Sequence, residues 1–340
     1  MPDAYPSNPI LVTVERGGAV ESVHRGSWAV VEADGTVVES VGDLTARYFA
    51  RSAVKSLQAL PLIETGAAER FGFDDAAIAL ALASHSGEAC HTEHVAATLA
   101  RVGLGEEALR CGSHAPFDSQ TRRALSEAGE APTSLHNNCS GKHAGFLAVA
   151  KHLGAELESY LDPDAPGQAL SRHAIASMSD ADESRLVPGI DGCSAPTYRL
   201  SLKELGTAFA RVTTPDGLTD ARRDACRRMV RAVQARPELI AGNRKRLCTD
   251  LVRASGGRLF PKIGAESMYA LGNVDSGQAL AVKVDDGQKR ALAPLVLELC
   301  RRFGWLSTDE LESLGSWKGG AQFNHAKLEV GHVRVHAQGV

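Results

Sequence analysis

Strand-like alternation of apolar and polar residues is confined to two separated stretches of this chain, and that confinement restricts the fold more than any other feature. The first fifty residues carry short alternating runs, "ILVTVERG", "AVESVH" and "SWAVVEADGTVVES". Branched Val, Ile and Thr in a period of two favour strands because they pack well on a pleated surface. Asp34-Gly35, between two such runs, predicts a hairpin turn. Residues 53 to about 255 instead repeat apolar side chains three and four apart, the period of helices with one buried stripe. Strand character returns in "ESMYALGNVDSGQALAVKVDDG"; a helix-like "ALAPLVLELCRRFGWL" follows, and "KLEVGHVRV" alternates again. Two distant strand regions must each bury an apolar face, and pairing with one another does this. The expectation is an α/β chain of α+β type, read as one catalytic unit over residues 1–340. Residues 1–52 and 256–340 would build a mainly antiparallel sheet, and residues 53–255 a mainly helical region carrying the site loops, with a cleft between.

At 340 residues, 44% hydrophobic and 23% charged, the chain holds enough apolar material for one large core and does not require two. Its 37 basic and 41 acidic residues are interspersed, for a net charge of -4, and the one compact basic cluster is Arg244-Lys245-Arg246. That is not the footprint of a nucleic-acid binder. No stretch approaches membrane-spanning length, and "MPDAYPSNPI" lacks the basic start and apolar core of a secretory signal. Seven cysteines, at 90, 111, 139, 193, 226, 248 and 300, are odd in number and form no close CxxC pair, which fits a reducing compartment. A cytoplasmic enzyme is expected, with no nucleic-acid or membrane partner. Cys226, Cys248 and Cys300 read as small buried residues of helices.

"RSAVKS", residues 51–56, opens a helical pattern with Ser52 three positions before Lys55. On a helix the two share a face one turn apart, within hydrogen-bond reach. A lysine accepts a hydroxyl proton only when neutral, so desolvation or a second cation must lower its ordinary pKa of about 10.4. The plainer reading of the same residues is a helix cap followed by a surface lysine. "ALALASHSGEACH", residues 79–91, ends an apolar run at Ser84, His85, Ser86 and Gly87, as a capped helix end also does. "RLFPKIGAESMY", residues 258–269, places Lys262 and Gly264 just ahead of a strand, where a solvated edge charge is the plainer reading. In order, SxxK, a serine-led loop and Lys-x-Gly by a strand form the set of serine β-lactamases and penicillin-binding proteins. Ser84-His85-Ser86 replaces Ser-Asp-Asn and Lys262-Ile263-Gly264 replaces Lys-Thr-Gly, so an amide and a hydroxyl suited to a lactam are missing.

"LHNNCSGKHAGFLAVA", residues 135–150, leads from a polar loop into an apolar helix, and "VPGIDGCSAPTYRLSL", residues 187–202, is a Gly- and Pro-rich turn holding Asp191 and Cys193. Cys139 and Cys193 are soft donors of the kind zinc takes, and equally two independently buried thiols. Taken with "RSAVKSLQALP", "ALASHSGE" and "FPKIGAES", these segments resemble the L-asparaginase II family, rhizobial or class 3 type, over about residues 8–335. "NNCSGKHAG" with "DGCSAP" is the most specific part of the match. The resemblance implies a β-lactamase-like fold and hydrolysis of L-asparagine to L-aspartate and ammonia. It implies two Ser–Lys pairs, Ser52 with Lys55 and Ser84 with Lys262, and a zinc ion held by Cys139, Lys142 and Cys193. It further implies a homodimer and a substrate pocket to which Arg51, His85, His143 and Asp191 contribute. Ser52 is the expected nucleophile, although both serines would have a lysine partner. The rival expectations are a glutaminase or penicillin-recognising enzyme, and a non-catalytic small-molecule-binding protein on the same scaffold.

Overall fold

The computed structural model describes residues 6–339. Twelve strands are found there: β1 (Ile10–Arg16), β2 (Ala19–Val31), β3 (Val37–Val41), β4 (Tyr48–Phe49), β5 (Gly189–Ile190), β6 (Pro196–Thr197), β7 (Arg199–Leu200), β8 (Leu259–Ile263), β9 (Met268–Asn273), β10 (Ala279–Val284), β11 (Gly320–Phe323) and β12 (Glu329–Val335). Eight form one antiparallel sheet in the order β11-β12-β1-β2-β10-β9-β8, with β3 paired to β2. Both strand-rich stretches of the sequence therefore meet in a single mixed α/β fold, as their alternation predicts. The long β2 makes this possible. Its first half pairs with β1 and its second half with β10 and β3. The expected hairpin turn is present, with the Gly35 amide donating to the Glu32 carbonyl and Gly35 at a φ of 85°.

All six residues of β10 are buried because helices cover both faces of the sheet there. Leu202–Thr213 packs on β2, β9 and β10, and Lys289–Arg302 packs on β10, β1 and β12. That second helix and Thr308–Ser313 lie inside the stretch read as sheet, and β5, β6 and β7 lie inside the stretch read as helical. Cys226, Cys248 and Cys300 are buried in helices, and all seven cysteines are free.

The helical region is built around Asp75–Leu82, buried at every position after Asp75. Asp74 caps it by accepting from the Ala77 amide. Ser140–His152 crosses it so closely that a Cβ on Gly141 would stand 2.4 Å from the Leu80 carbonyl oxygen. The helix expected from Ser52 is broken into a tight Arg51–Val54 turn and two short helices, Lys55–Gln58 and Leu60–Glu64. Pro61 has no amide to bond the Leu57 carbonyl, so a continuous helix is not available.

Candidate active site

Three helix-associated segments and one strand converge on the hydroxyl of Ser84. Helix Asp75–Leu82 ends at Ala83, which is extended, and the Ser84 amide leaves the helix to donate to the Ile240 carbonyl at 3.0 Å. Lys262, on β8, donates from Nζ to Ser84 Oγ at 2.8 Å and to the Ile263 carbonyl at 3.0 Å. Lys55 donates to the Ala83 carbonyl at 2.5 Å, to Ser84 Oγ at 3.0 Å and to the Asn138 carbonyl at 3.4 Å. Both lysines are almost wholly buried, 1% and 3% exposed. An ammonium buried without such partners costs several kcal/mol, and the two carbonyls around Lys55 offset that cost. Burial, and then the Lys55 charge, hold the pKa of Lys262 well below the ordinary lysine value. With its amine neutral, Lys262 can also accept the Ser84 hydrogen across the same 2.8 Å, while Ser84 Oγ accepts from Lys55.

The expected Ser52–Lys55 pair is not formed. No side-chain hydrogen bond of Ser52 is found among the described residues, and Lys55 turns instead to the carbonyls that stabilise its charge. The backbone runs on without interruption here, the Lys55 amide donating to the Ser52 carbonyl, so it is the Lys55 side chain that turns away. Ser52 is half-buried, follows Arg51 at a φ of 49°, and sits beside the start of the β8–β9 connection. A Cβ on Gly264 would stand 2.8 Å from the Ala50 carbonyl oxygen and 3.3 Å from the Ala53 amide nitrogen. Among the described residues the amides of Ser52 and Ala265 have no hydrogen-bond partner. They flank that close approach.

Arg51 donates from Nε to Asp191 Oδ1 at 2.9 Å. Burial works against the Asp191 carboxylate, but this bond, the Gly192 amide and the charges of Arg51 and Lys142 outweigh it and lower its pKa. His85, expected to touch substrate, is fully buried with both ring nitrogens engaged. Its Nδ1 accepts from the Gly87 amide, and Nε2 donates to Ser140 Oγ at 2.9 Å, which in turn donates to the Leu135 carbonyl. Burial and the neighbouring His91, stacked at 4.9 Å, hold it neutral. In this arrangement His85 ties the serine loop to Ser140.

Lys142, Cys139, Cys193 and His143 form a buried cluster behind Lys55. Lys142 donates from Nζ to Cys193 Sγ at 3.2 Å. A hydrogen bond from Cys193, aided by the charges of Lys55 and Lys142, keeps the Cys139 thiol well below its ordinary range, while the same bond and burial raise Cys193. Burial opposes the Lys142 charge, but the two sulfurs prevail and its pKa is raised. His143 bonds through Nδ1 to the Tyr160 hydroxyl at 2.6 Å, and its Nε2 is buried with no partner. Burial pushes its pKa down to about 4. His143 is fully buried and lies beside Cys193. Among the described residues no three His, Cys, Asp or Glu side chains gather as a metal site. The two sulfurs are donors that zinc accepts; the Lys142 amine could join them only by giving up its proton, a loss that a bound dication would favour, and the buried His143 Nε2 lies beside Cys193.

Sequence reading missed Arg246. It donates to the Ser84 carbonyl at 2.6 Å and to Ser86 Oγ at 2.8 Å, and its guanidinium lies 5.7 Å from the centroid of Phe117. Its neighbour Arg244 pairs with the Asp118 carboxylate at 2.7 Å. The only signal was their membership of the one basic cluster, whose inward-facing member is invisible to a charge count. Asn138, in the polar loop before the helix Ser140–His152, also serves the site through its carbonyl, which accepts from Lys55.

Residues 12–335 match the family described as L-asparaginase II. No curated protein matches the chain. Among solved structures, a β-lactamase from Mycobacterium bovis is similar at 13% identity and a TM-score of 0.40, over 78% of this chain and 89% of its own. Mglu in its native form is similar at 14% identity and a TM-score of 0.42, over 83% of this chain and 63% of its own. Among the described residues no helix is long and apolar enough to cross a membrane.

Proposed function

Since the chain belongs to the L-asparaginase II family, we propose that it hydrolyses L-asparagine to L-aspartate and ammonia through a serine ester. The convergence of two buried lysines on the Ser84 hydroxyl is the observation that carries this reading. Ser52 Oγ attacks the side-chain amide carbon while the unpartnered Ser52 and Ala265 amides receive the developing oxyanion. The Ser52 proton passes to Ser84, which gives its own to neutral Lys262; this assigns the base to Lys262 in place of Lys55. The C–N bond then breaks as the proton returns through Ser84 to the leaving nitrogen. Water cleaves the ester by the same route, releasing aspartate and restoring Ser52.

Arg51 and Asp191 border the nucleophile and suit the charged α-amino and α-carboxylate groups of the substrate. Cys139, Lys142 and Cys193 would hold zinc. When bound, the ion supplies a fixed positive charge that fastens the Asp191 turn to the helix Ser140–His152. Seven unpaired thiols suit a reducing, cytoplasmic setting, and light scattering tests the homodimer that the family resemblance implies. Ammonia release from asparagine and glutamine, run beside a chromogenic lactam, tests the activity. Turnover of asparagine alone is expected; hydrolysis of the lactam without ammonia from asparagine would overturn the reading.

A further inference from the structure

Behind the Ala265 amide lies a backbone conformation that its residues do not favour. The β8–β9 connection is a two-residue turn in which Met268 donates to the Ala265 carbonyl at 3.2 Å and Gly264 donates to the Met268 carbonyl at 2.7 Å. Its central residues, Glu266 and Ser267, have φ angles of 55° and 51°. Left-handed angles at both central positions are the pattern normally filled by Asn-Gly, and side chains there resist it. Something outside the turn must hold it. Lys283, on the neighbouring-but-one strand β10 and 6% exposed, donates from Nζ to the Glu266 carbonyl at 2.6 Å and to the Val284 carbonyl at 2.6 Å. Ser267 adds a bond from Oγ to the Gly287 carbonyl at 2.9 Å. At its root the same turn lies against Ala50–Ala53 with room for no Cβ at Gly264, so a shift of the turn moves Ala265 relative to Ser52.

We infer that Lys283 is a positioning residue: its buried ammonium holds the left-handed Glu266–Ser267 turn and so aims the Ala265 amide at the carbonyl oxygen of the substrate. The inference rests on the serine-ester reading above. It uses strain at a functional site as a means of fixing one donor, since a residue held in a sparsely populated region persists only where surroundings over-determine it.

The test compares wild type, Lys283→Met, Lys283→Arg, and the triple variant Lys283→Met/Glu266→Asn/Ser267→Gly, whose Asn-Gly turn takes the conformation unaided. Complete loss of one oxyanion donor costs about 10²–10³ in kcat. A misaimed one in Lys283→Met is expected to lower kcat about 10–100-fold with KM within about threefold, as befits an interaction made in the transition state. Lys283→Arg should recover part of the loss, and the triple variant should return to within about threefold of wild type. Unchanged kcat in Lys283→Met, or a triple variant no faster than Lys283→Met, would overturn the role. If Lys283→Met does not fold, the kcat of the triple variant decides alone. If wild type releases no ammonia from asparagine, the serine-ester reading fails separately. The Ala265 amide position in a crystal structure of Lys283→Met then decides the inference, displaced in support and unmoved against.

Discussion

Ser84 accepts hydrogen bonds from two buried lysines on a loop braced by Arg246, whereas Ser52, half-exposed and without a side-chain partner, follows a residue held in a left-handed conformation. The difference teaches a division of labour. A hydroxyl fixed by two donors is well placed to pass a proton and poorly placed to swing toward a carbonyl carbon. A hydroxyl beside two unpartnered amides has the opposite qualities. The contrast extends below the surface, where the Ser84 side rests on two buried lysine amines and the Asp191 side on a thiol cluster.

The sharpest way to break the comparison is to remove each hydroxyl in turn. Ser52→Ala is expected to lower kcat by about 10³–10⁴ and Ser84→Ala by about 10², within the range for loss of a nucleophile or proton relay. Mass spectrometry of Ser84→Ala with asparagine should find an aspartyl ester on the Ser52 peptide; an ester on Ser84 in the Ser52→Ala enzyme would reverse the roles. Next comes the base. Lys262 is protonated and inactive on the acid side, and its pKa is depressed, so kcat/KM should rise with pH through a group well below the ordinary lysine value of about 10.4. Lys262→Arg stays charged at every accessible pH and is expected to lose about a hundredfold together with that rise. A pH profile of the variant that keeps the rise would assign it to another group.

Smaller effects should come from the thiol side. Cys139→Ser and Cys193→Ser are expected to lose bound zinc by elemental analysis and to raise KM about tenfold with kcat within about threefold, the sign of a positioning role. Complete loss of kcat at saturating asparagine with the fold intact would make the metal catalytic instead. Cys226→Ser, in the helix Asp220–Ala235 and fully buried, serves as the smallest change. It should keep metal and kcat and lower stability by about 1–2 kcal/mol in urea unfolding, because a hydroxyl is buried where a thiol packed.

The fold was legible because its signal is periodic. Branched apolar runs bounded by turn signals mark "SWAVVEADGTVVES" and "ALAVKV" as strands, the second with both faces covered, and the two stretches pair. The site was legible as a set of residue types and less so as a set of contacts. Spacing placed Ser52 over Lys55, but the Lys55 side chain bonds the Ala83 and Asn138 carbonyls and Ser84 instead. His85 and His143 read as polar groups near a site; their burial follows from helix crossings such as Gly141 on Leu80, which no local pattern reports. Arg246 and Lys283 act through backbone carbonyls, and a carbonyl has no letter in the sequence.

The pairing of β1 with β12 bears on how the chain comes to be folded at all. Arg334 donates to Glu15 at 2.8 Å across 319 positions of sequence, and Lys262 enters the site only after the whole helical region has been made. Contacts so distant are slow to form, because the loop between them must be closed before they return any stability. During synthesis the edge of β1 that receives β12 therefore waits unpaired until β12 has been made. An unpaired strand edge is a template for another chain, which places the hazard of aggregation at one of the earliest-made strands.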